Sequence, residues 1–246
     1  LSDLEVFLEI GSTNDFLLGR ADRFSPQPRV CIAELQSKGR GRRGRTWFSP
    51  FGTNLYFSLL WRWNSSQALT GLSLALGVAA VEALDELGGR EIGLKWPNDL
   101  YWRGRKLAGM LIDVVGDPRR GCNVVAGIGI NVDMRRALSA EDRIDQPWCD
   151  LAQAMQETPS RNALGGVLLR NWLRAFAIYE QSGLEAFLER FARYDICAGM
   201  PVTVTTAKHS VEGVARGINR EGQLMVDTDA GLEKFLAADV SLRLDG

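Results

Sequence analysis

The sequence Gly39-Arg40-Gly41-Arg42-Arg43-Gly44-Arg45-Thr46-Trp47 separates two apolar segments and carries four arginines and three glycines within its first seven residues. Glycine lets the backbone adopt positive φ and lets a ligand approach the main chain closely. Guanidinium groups present rigid forks of donors that match carboxylate and phosphate oxygens. This stretch, called the arginine loop below, therefore predicts a segment that closes over an anionic ligand and is mobile without one.

The first six residues of the arginine loop also satisfy the dinucleotide-binding pattern G-x-G-x-x-G. That pattern requires a strand before it and a helix that begins inside it. A strand is predicted at 30–35, but residues 46–52 include Pro50 and cannot form the helix. The dinucleotide interpretation therefore fails. A solvated basic loop and a nucleic-acid contact are simpler alternatives, and the net charge of -1 argues against a nucleic-acid surface.

Length and composition restrict the class of protein. The 246 residues, 46% hydrophobic and 24% charged, allow one large globular domain or a large and a small one. Because no apolar run approaches the roughly 18 residues of a membrane span and no signal peptide is evident, we expect a cytoplasmic protein with no membrane partner. His209 is the single histidine, so serine–histidine and zinc chemistry are disfavoured and no metal ligand is assigned. The four cysteines lack metal-binding spacing and are predicted to be buried thiols: Cys31, Cys122, Cys149 and Cys197.

Helices are predicted from apolar spacing and capping residues. Ser12 or Thr13 caps a first helix that runs to Arg20, and Ser65 or Ser66 caps a second that ends at Gly88-Gly89. Two amphipathic helices are predicted at 161–180 and 184–194. Between the second and third helices, residues 135–147 are polar and are expected to form a flexible loop ending at Trp148.

Strands are predicted where branched and aromatic residues cluster between turn residues. In the first part of the chain they are 54–63, 92–95, and a hairpin of 100–102 with 106–115, followed by 123–132. Gly127 and Gly129 alternate along the last of these strands. They leave room either for a ligand or for a tight sheet–helix contact, and the two interpretations are equally supported. From Gly199 onward, strands at 202–206, 211–218, 223–226 and 235–244 predict a small barrel-like domain, with His209 in a hairpin.

Five motifs in sequence order resemble those of the biotin–protein ligases. They are Ser12-Thr13-Asn14, the arginine loop, Lys95-Trp96-Pro97-Asn98-Asp99, Lys106-Leu107-Ala108-Gly109 and Gly127-Ile128-Gly129-Ile130-Asn131. The resemblance covers essentially the whole chain. It implies an α+β fold with a mixed sheet flanked by helices in residues 1–196, and an SH3-like barrel in residues 197–246.

The resemblance also implies a two-step reaction. Biotin and ATP, with Mg²⁺, give biotinyl-5′-AMP and pyrophosphate, and a lysine of a biotin carboxyl carrier protein then attacks the mixed anhydride. The enzyme must align a carboxylate with the α-phosphorus and neutralise charge, which arginines, a lysine and Mg²⁺ accomplish without histidine. The resemblance allows a homodimer and gives this chain by itself no nucleic-acid partner.

Site residues follow from the resemblance position by position. Lys106 and Arg42 are the expected catalytic residues. The expected biotin-binding residues are Ser12, Thr13, Asn14, Gln36, Gly39, Arg40, Gly41, Arg42, Lys106, Gly109, Gly127 and Gly129. The expected nucleotide-binding residues are Arg42, Arg45, Trp47, Asp99, Lys106, Asn131, Arg135 and Trp148, with Arg136 as a weaker candidate.

Three alternatives remain from the sequence. A lipoate–protein ligase would share fold and chemistry, although its usual arginine-serine-glycine-rich signature is absent. In the second alternative the chain is part of a biotin-responsive transcriptional repressor whose upstream helix-turn-helix domain is absent from this sequence, and any extension before Leu1 decides this alternative. A non-catalytic binding module would have little use for four arginines beside a lysine.

Overall fold

The computed structural model describes residues 3–21, 27–117, 121–137, 144–206, 209–237 and 241–244, the last four and Arg136 by their backbone alone. These residues form a seven-stranded mixed sheet with helices and a five-stranded antiparallel sheet at the C-terminus. The α+β class with a small C-terminal β unit is therefore confirmed. No helix among the described residues is long and apolar enough to cross a membrane.

The large sheet has the strand order β1-β2-β3-β7-β6-β5-β4. Its strands are β1 (Asp3–Phe7), β2 (Arg29–Ala33), β3 (Asn54–Trp63), β4 (Ile92–Lys95), β5 (Asp99–Trp102), β6 (Arg105–Asp117) and β7 (Gly121–Asn131). Among the paired strands of this sheet that the structure describes, β1 and β2 alone are parallel. The predicted strands 54–63 and 92–95 and the predicted hairpin of β5 with β6 are confirmed. The register of β6 against β7 places Gly109 opposite Gly129.

Helices cover the two faces of this sheet unequally. They are α1 (Thr13–Leu18), α2 (Leu72–Glu86), α3 (Leu151–Ala154), α4 (Arg161–Ser182) and α5 (Leu188–Tyr194). α2 and α4 cover the face that carries the main core, where Trp172 donates from Nε1 to the Leu76 carbonyl at 3.1 Å. α1 lies on the opposite face, where Leu17 packs with Cys31 and Leu60. Since side chains alternate along a strand, residues beside α1 belong to one face of β3, β6 and β7.

Two helix predictions are wrong at their N-termini. α2 begins at Leu72 behind Gly71, whose φ is 86°, so neither Ser65 nor Ser66 caps it. Ser65 instead donates to the Glu180 carbonyl at 2.6 Å and thereby ties the segment after β3 to α4. The predicted helix at 184–194 starts as a 3-10 turn at Gly183–Phe187 and becomes α-helical only at Leu188. The N-terminus of each helix depends on tertiary contacts, and the apolar spacing of the sequence does not report these contacts.

The C-terminal sheet has the order β11-β10-β9-β8-β12. Its strands are β8 (Pro201–Thr205), β9 (Ser210–Ile218), β10 (Leu224–Thr228), β11 (Gly231–Phe235) and β12 (Ser241–Leu244). The single predicted strand 235–244 is wrong, because Phe235 ends β11 and Ser241 begins β12. β11 was not predicted as a strand. Its residues are mostly exposed and include charged ones, so its sequence lacks the apolar–polar alternation expected of a strand. Within the described residues β11 and β12 form the edges, and no pairing between them closes a barrel.

The C-terminal sheet packs against the large one. Trp96, at the turn after β4, donates from Nε1 to the Gly222 carbonyl at 3.1 Å, and Leu224 belongs to the main core. All four cysteines are buried and free, as predicted. His209 lies in the β8–β9 turn, where its carbonyl accepts from Thr206 N at 2.9 Å.

Candidate active site

A pocket opens on the face of the sheet that carries α1. Ser12 caps α1 by accepting from Asp15 N at 3.3 Å, so the first turn holds Ser12, Thr13 and Asn14 side by side, each 4% exposed. These residues contact β3 and the segment after β2. The pocket is lined by Ser12, Thr13, Asn14, Gln36, Arg40, Trp47, Ser58, Gly109, Leu111, Gly127, Ile128 and Gly129. Eight residues predicted to bind biotin are therefore brought to one place: Ser12, Thr13, Asn14, Gln36, Arg40, Gly109, Gly127 and Gly129.

A chain of polar side chains runs along the pocket floor. Ser58 Oγ lies 2.6 Å from Asn14 Oδ1 and 2.7 Å from Thr13 Oγ1. The Thr13 main-chain N–H donates to Gln36 Oε1 at 2.9 Å. Asn14 Nδ2 donates to Asp113 Oδ2 at 2.9 Å. The chain therefore presents fixed donors and acceptors to a compact polar group.

Each pocket glycine allows a close approach by a neighbouring side chain. A Cβ on Gly127 would lie 2.0 Å from Asn14 Oδ1, so this glycine lets α1 press against β7. A Cβ on Gly129 would lie 2.4 Å from Trp47 Nε1, and one on Gly109 would lie 3.0 Å from the same indole. The Trp47 ring therefore lies across the cross-strand glycine pair. Its Nε1 is buried and has no hydrogen-bond partner among the described residues.

The arginine loop is anchored by protein contacts. Arg40 pairs with Asp15 at 2.5 Å and with Asp113 at 3.4 Å. Arg42 Nη1 donates to Asn98 Oδ1 at 2.9 Å, and Nη2 donates to the Ala237 carbonyl of the C-terminal unit. Burial lowers the pKa of Arg42, and the nearby Asp99 carboxylate opposes that effect.

Gly39 and Gly41 shape the arginine loop beside the pocket. A Cβ on Gly39 would lie 2.5 Å from the Trp47 carbonyl, which closes the loop on itself. The Gly41 N–H donates to the Arg45 carbonyl at 2.7 Å. Arg43 adopts a left-handed conformation with φ of 57°, and Arg43 and Arg45 are exposed.

Lys106 lies next to the indole and to an acid. Its Nζ is 2.8 Å from Asp99 Oδ2 and 5.5 Å from the Trp47 ring centroid, with the lysine side chain 13% exposed. The main chain of Lys106 bonds to the segment around Trp148, from Lys106 N to the Pro147 carbonyl at 3.0 Å and from Cys149 N to the Lys106 carbonyl at 2.9 Å. The candidate catalytic lysine is therefore held at both its backbone and its charged end.

The residues predicted for the nucleotide are more dispersed. Asn131 is 4% exposed, and its Nδ2 donates to the Cys149 carbonyl at 2.9 Å, so its side chain supports the Trp148 segment. Arg135 is exposed and paired with Asp133 at 2.7 Å. Arg136 is described by its backbone alone, and residues 138–143 of the predicted polar loop lie outside the described residues.

Sequence reasoning missed three polar residues of the site: Ser58, Asp113 and Asn98. Ser58 and Asp113 each interrupt an apolar strand with a polar side chain, and this is a usable signal, because a buried polar group needs a partner. Asn98 belongs to the motif at 95–99, but the resemblance assigned it no role. It holds Arg42 through Oδ1 and donates from Nδ2 to the Met110 carbonyl at 2.5 Å.

Comparison with known proteins identifies the family. Residues 7–131 match the biotin/lipoate A/B protein ligase family, and residues 199–243 match the biotin protein ligase C terminal domain. The bifunctional ligase/repressor BirA of Escherichia coli (strain K12) is 40% identical over 235 residues, which cover 95% of this chain and 72% of BirA.

Two further relatives extend the match over the whole chain. The biotin–[acetyl-CoA-carboxylase] ligase of Mycobacterium tuberculosis is 33% identical over 244 residues, covering 96% of this chain and 88% of that protein. The structure of biotin protein ligase from Aquifex aeolicus, solved in complex with biotin and ATP, superposes with a TM-score of 0.86 at 27% identity over 100% of both chains. The chain therefore belongs to the biotin/lipoate A/B protein ligase family.

Proposed function

We propose that this protein is an ATP-dependent biotin–[acetyl-CoA-carboxylase] ligase, which forms biotinyl-5′-AMP and transfers the biotinyl group to a lysine of a biotin carboxyl carrier protein. The observation that carries the proposal is the continuity of the site. A pocket of fixed polar groups at Thr13 and Gln36 leads past the Gly109–Gly129 pair and Trp47 to the ammonium of Lys106. The polar ureido head, the apolar bicycle and tail, and the terminal carboxylate of biotin fit these environments in turn.

The biotin side of the site explains substrate orientation. The ureido head, with two N–H donors and a carbonyl, lies against Ser12, Thr13, Asn14 and Gln36. The bicycle and tail lie near Gly109, Gly127 and Gly129, whose missing β-carbons let Trp47 and Asn14 form the pocket wall close to the sheet. Trp47, which the resemblance assigned to the nucleotide, is placed instead against this apolar part, because it lines the same pocket and its indole lies on the glycine pair.

Adenylation then requires little covalent chemistry from the protein. A carboxylate oxygen of biotin attacks the α-phosphorus of ATP, a new P–O bond forms, and the bond to the pyrophosphate oxygen breaks. The ammonium of Lys106 and the guanidiniums of Arg40 and Arg42 neutralise the charge that accumulates on the oxygens, the usual main contribution in such reactions. Mg²⁺ carried by the phosphates of ATP would supply further charge neutralisation there. Gly39 and Gly41 let the loop main chain approach the anion.

The release of Arg40 and Arg42 from their present partners accompanies this step. Both guanidiniums are now held by protein groups, at Asp15, Asp113 and Asn98. A carboxyl-phosphate anion pairs a negative charge with the Arg42 cation, whereas the Asn98 and Ala237 oxygens that now accept from Arg42 are uncharged. Arg42 therefore exchanges those partners for the ligand.

Transfer uses the same lysine. The acceptor amine attacks the carbonyl carbon of the mixed anhydride, the C–N bond of the amide forms, the C–O bond to AMP breaks, and the proton of the amine passes to water. Lys106 stabilises the oxyanion of this step, and Asp99 keeps its ammonium in place at 2.8 Å.

On the nucleotide side we place Arg45, Asp99, Asn131, Arg135 and Trp148. Arg45 and Arg135 are exposed and supply charge to phosphates, and Trp148 supplies an adenine-stacking face. Asn131 acts by holding the Cys149 carbonyl, which fixes the backbone beside Trp148.

We further propose two functional units and a cytoplasmic location. Residues 1–196 form the biotin- and ATP-binding unit and 197–246 the C-terminal unit. The bond from Arg42 to the Ala237 carbonyl supports a contribution of the second unit to the site.

A homodimer is proposed through the outer edge of β6. β5 pairs with β6 only as far as Gly109, so among the described residues the later part of β6 pairs with β7 alone. Val114 and Val115 on this segment are 43% and 40% exposed. Sedimentation equilibrium tests the assembly. The wild type should have the mass of a dimer and Val114→Lys that of a monomer, and equal masses for the two proteins would contradict the proposed interface.

Biotin is favoured over lipoate by the match of residues 199–243 to the biotin protein ligase C terminal domain. Incubation with Mg-ATP and either acid, followed by mass spectrometry of acyl-AMP, tests the choice. Biotinyl-AMP alone is expected. Lipoyl-AMP without biotinyl-AMP would contradict the substrate, and neither product would contradict the ligase.

A further inference from the structure

A row of charged side chains continues past Lys106 on the pocket face of the large sheet. In the register of β4 against β5, Lys95 lies directly opposite Asp99. Because residues paired in this way point to the same face, Lys95 projects from the face on which Asp99 Oδ2 meets Lys106 Nζ at 2.8 Å. Leu94, the preceding residue of β4, belongs to the main core on the other face. The row Lys106, Asp99 and Lys95 therefore crosses β6, β5 and β4 in turn.

The ammonium of Lys95 is held by an aromatic side chain. Its Nζ donates to the Tyr101 hydroxyl at 3.4 Å and lies 4.9 Å from the Tyr101 ring centroid. Tyr101 is 8% exposed, whereas Lys95 is half-buried. Burial raises the pKa of Tyr101, the Asp99 carboxylate adds to that effect, and the Arg45 guanidinium opposes it. Two cationic side chains, one from β4 and one from the arginine loop, therefore lie near Tyr101.

This row extends in the direction that the leaving group of adenylation takes. At the phosphorus of such a transfer, the attacking and leaving oxygens lie roughly in line. The proposed biotin axis passes Gly129 of β7 and Gly109 of β6 and reaches Lys106, where the carboxylate attacks. The bond from the α-phosphorus to the pyrophosphate oxygen then points further along the same axis, over β5 and β4. Two strand spacings of about 4.8 Å each separate β6 from β4, which carries Lys95.

We propose that Lys95 binds the leaving pyrophosphate during adenylation. The inference rests on the proposed function. As the bond from the α-phosphorus to the pyrophosphate oxygen breaks, its electron pair stays on that oxygen, and the ammonium of Lys95 neutralises the added negative charge. Tyr101 is a positioning residue, which holds Lys95 Nζ. Because the transfer step involves no pyrophosphate, Lys95 contributes to adenylation and not to transfer.

Lys95→Met tests the proposal, since it removes the charge and keeps an unbranched side chain against the Tyr101 ring. Single-turnover formation of biotinyl-AMP from biotin and Mg-ATP should slow by roughly one to two orders of magnitude, the usual effect of losing one charge-assisted bond. In the reverse reaction, the pyrophosphate concentration that gives half the maximal rate of ATP formation should rise by a similar factor. Transfer from synthetic biotinyl-AMP to the carrier protein should keep the wild-type rate. Lys234→Met, at an exposed lysine of β11, is the matched control and should leave all three measurements unchanged.

A wild-type rate of adenylation in Lys95→Met, or an unchanged response to pyrophosphate, would overturn the inference. A transfer rate reduced by the same factor as adenylation would also overturn it, because damage to the shared part of the site slows both steps. A wild-type protein that neither forms nor consumes biotinyl-AMP would contradict the proposed function itself. That result is read from the wild type alone, so the two failures are distinguishable.

Discussion

Lys106 Nζ lies 2.8 Å from Asp99 Oδ2, across the neighbouring strands β6 and β5, with the two side chains 13% and 21% exposed. The pair holds a positive charge at the end of the pocket. Lys106→Ala should therefore slow adenylation by about 10²–10³-fold, the usual loss when one preorganised group is removed. Single-turnover formation of biotinyl-AMP measures the effect. Lys234→Ala, at an exposed lysine of β11, is the control, and near-normal activity of Lys106→Ala would show that the centre of the site lies elsewhere.

Arg42→Gly should release the adenylate from the enzyme. Loss of a charge-assisted bond, worth about 1.5–3 kcal/mol, should speed escape by roughly one to two orders of magnitude. Free adenylate acylates any accessible lysine, so biotin labelling of added bystander proteins should rise. Arg43→Gly is a matched control, because Arg43 is exposed and its φ of 57° suits glycine. Labelling confined to the carrier protein in Arg42→Gly would exclude Arg42 as the retaining group.

Gly129→Ala should displace Trp47. The new Cβ would lie 2.4 Å from Trp47 Nε1, and overpacking of this kind costs about 1–3 kcal/mol. Biotin affinity should fall, whereas the same change in a Trp47→Ala background should have little effect. Gly166→Ala, on the open surface of α4, is the control and should stabilise the protein by about 0.5–1 kcal/mol. Equal losses of biotin affinity from Gly129→Ala in both backgrounds would contradict the contact.

The arginine loop should be protected from trypsin by its ligands. Apart from the contacts of Arg40 and Arg42, its glycine-rich, like-charged composition offsets little of the ordering cost of roughly 1–2 kcal/mol per residue. Arg43 and Arg45 are exposed, so cleavage after them should be rapid without ligand and suppressed by biotin plus ATP. Cleavage after Arg90, in the turn that follows α2, should not change. Equal rates in the loop with and without ligand would mean that it does not close.

The sequence predicted those elements whose local pattern agrees with their tertiary setting. Asn54–Trp63 and Ile92–Lys95 are strands with the bounds expected from branched and aromatic residues. The start of α2 was not predictable from capping alone, because Ser65 is used to bind the Glu180 carbonyl. Long-range contacts therefore determine where α2 begins.

The candidate site was likewise predictable only in part. The resemblance to the biotin–protein ligases assigned Thr13 and Gly129 to the site, whereas local pattern alone also allowed a helix cap and a sheet–helix contact, and both residues line the pocket. No local pattern could show that Gly129 lies under Trp47, or that Asn14 is oriented by Asp113 from 99 residues away. Those contacts arise from strand register, which depends on the whole sheet.

Biotin-dependent exchange of labelled pyrophosphate into ATP tests the central claim most directly. The protein is incubated with Mg-ATP, labelled pyrophosphate and either biotin or lipoate, because reversible adenylation returns label to ATP only when the acid is a substrate. Exchange should occur with biotin, be absent with lipoate, and fall by about 10²–10³-fold in Lys106→Ala. Exchange with lipoate and none with biotin would contradict the substrate, and no exchange with either would contradict the account of this protein as an adenylating ligase.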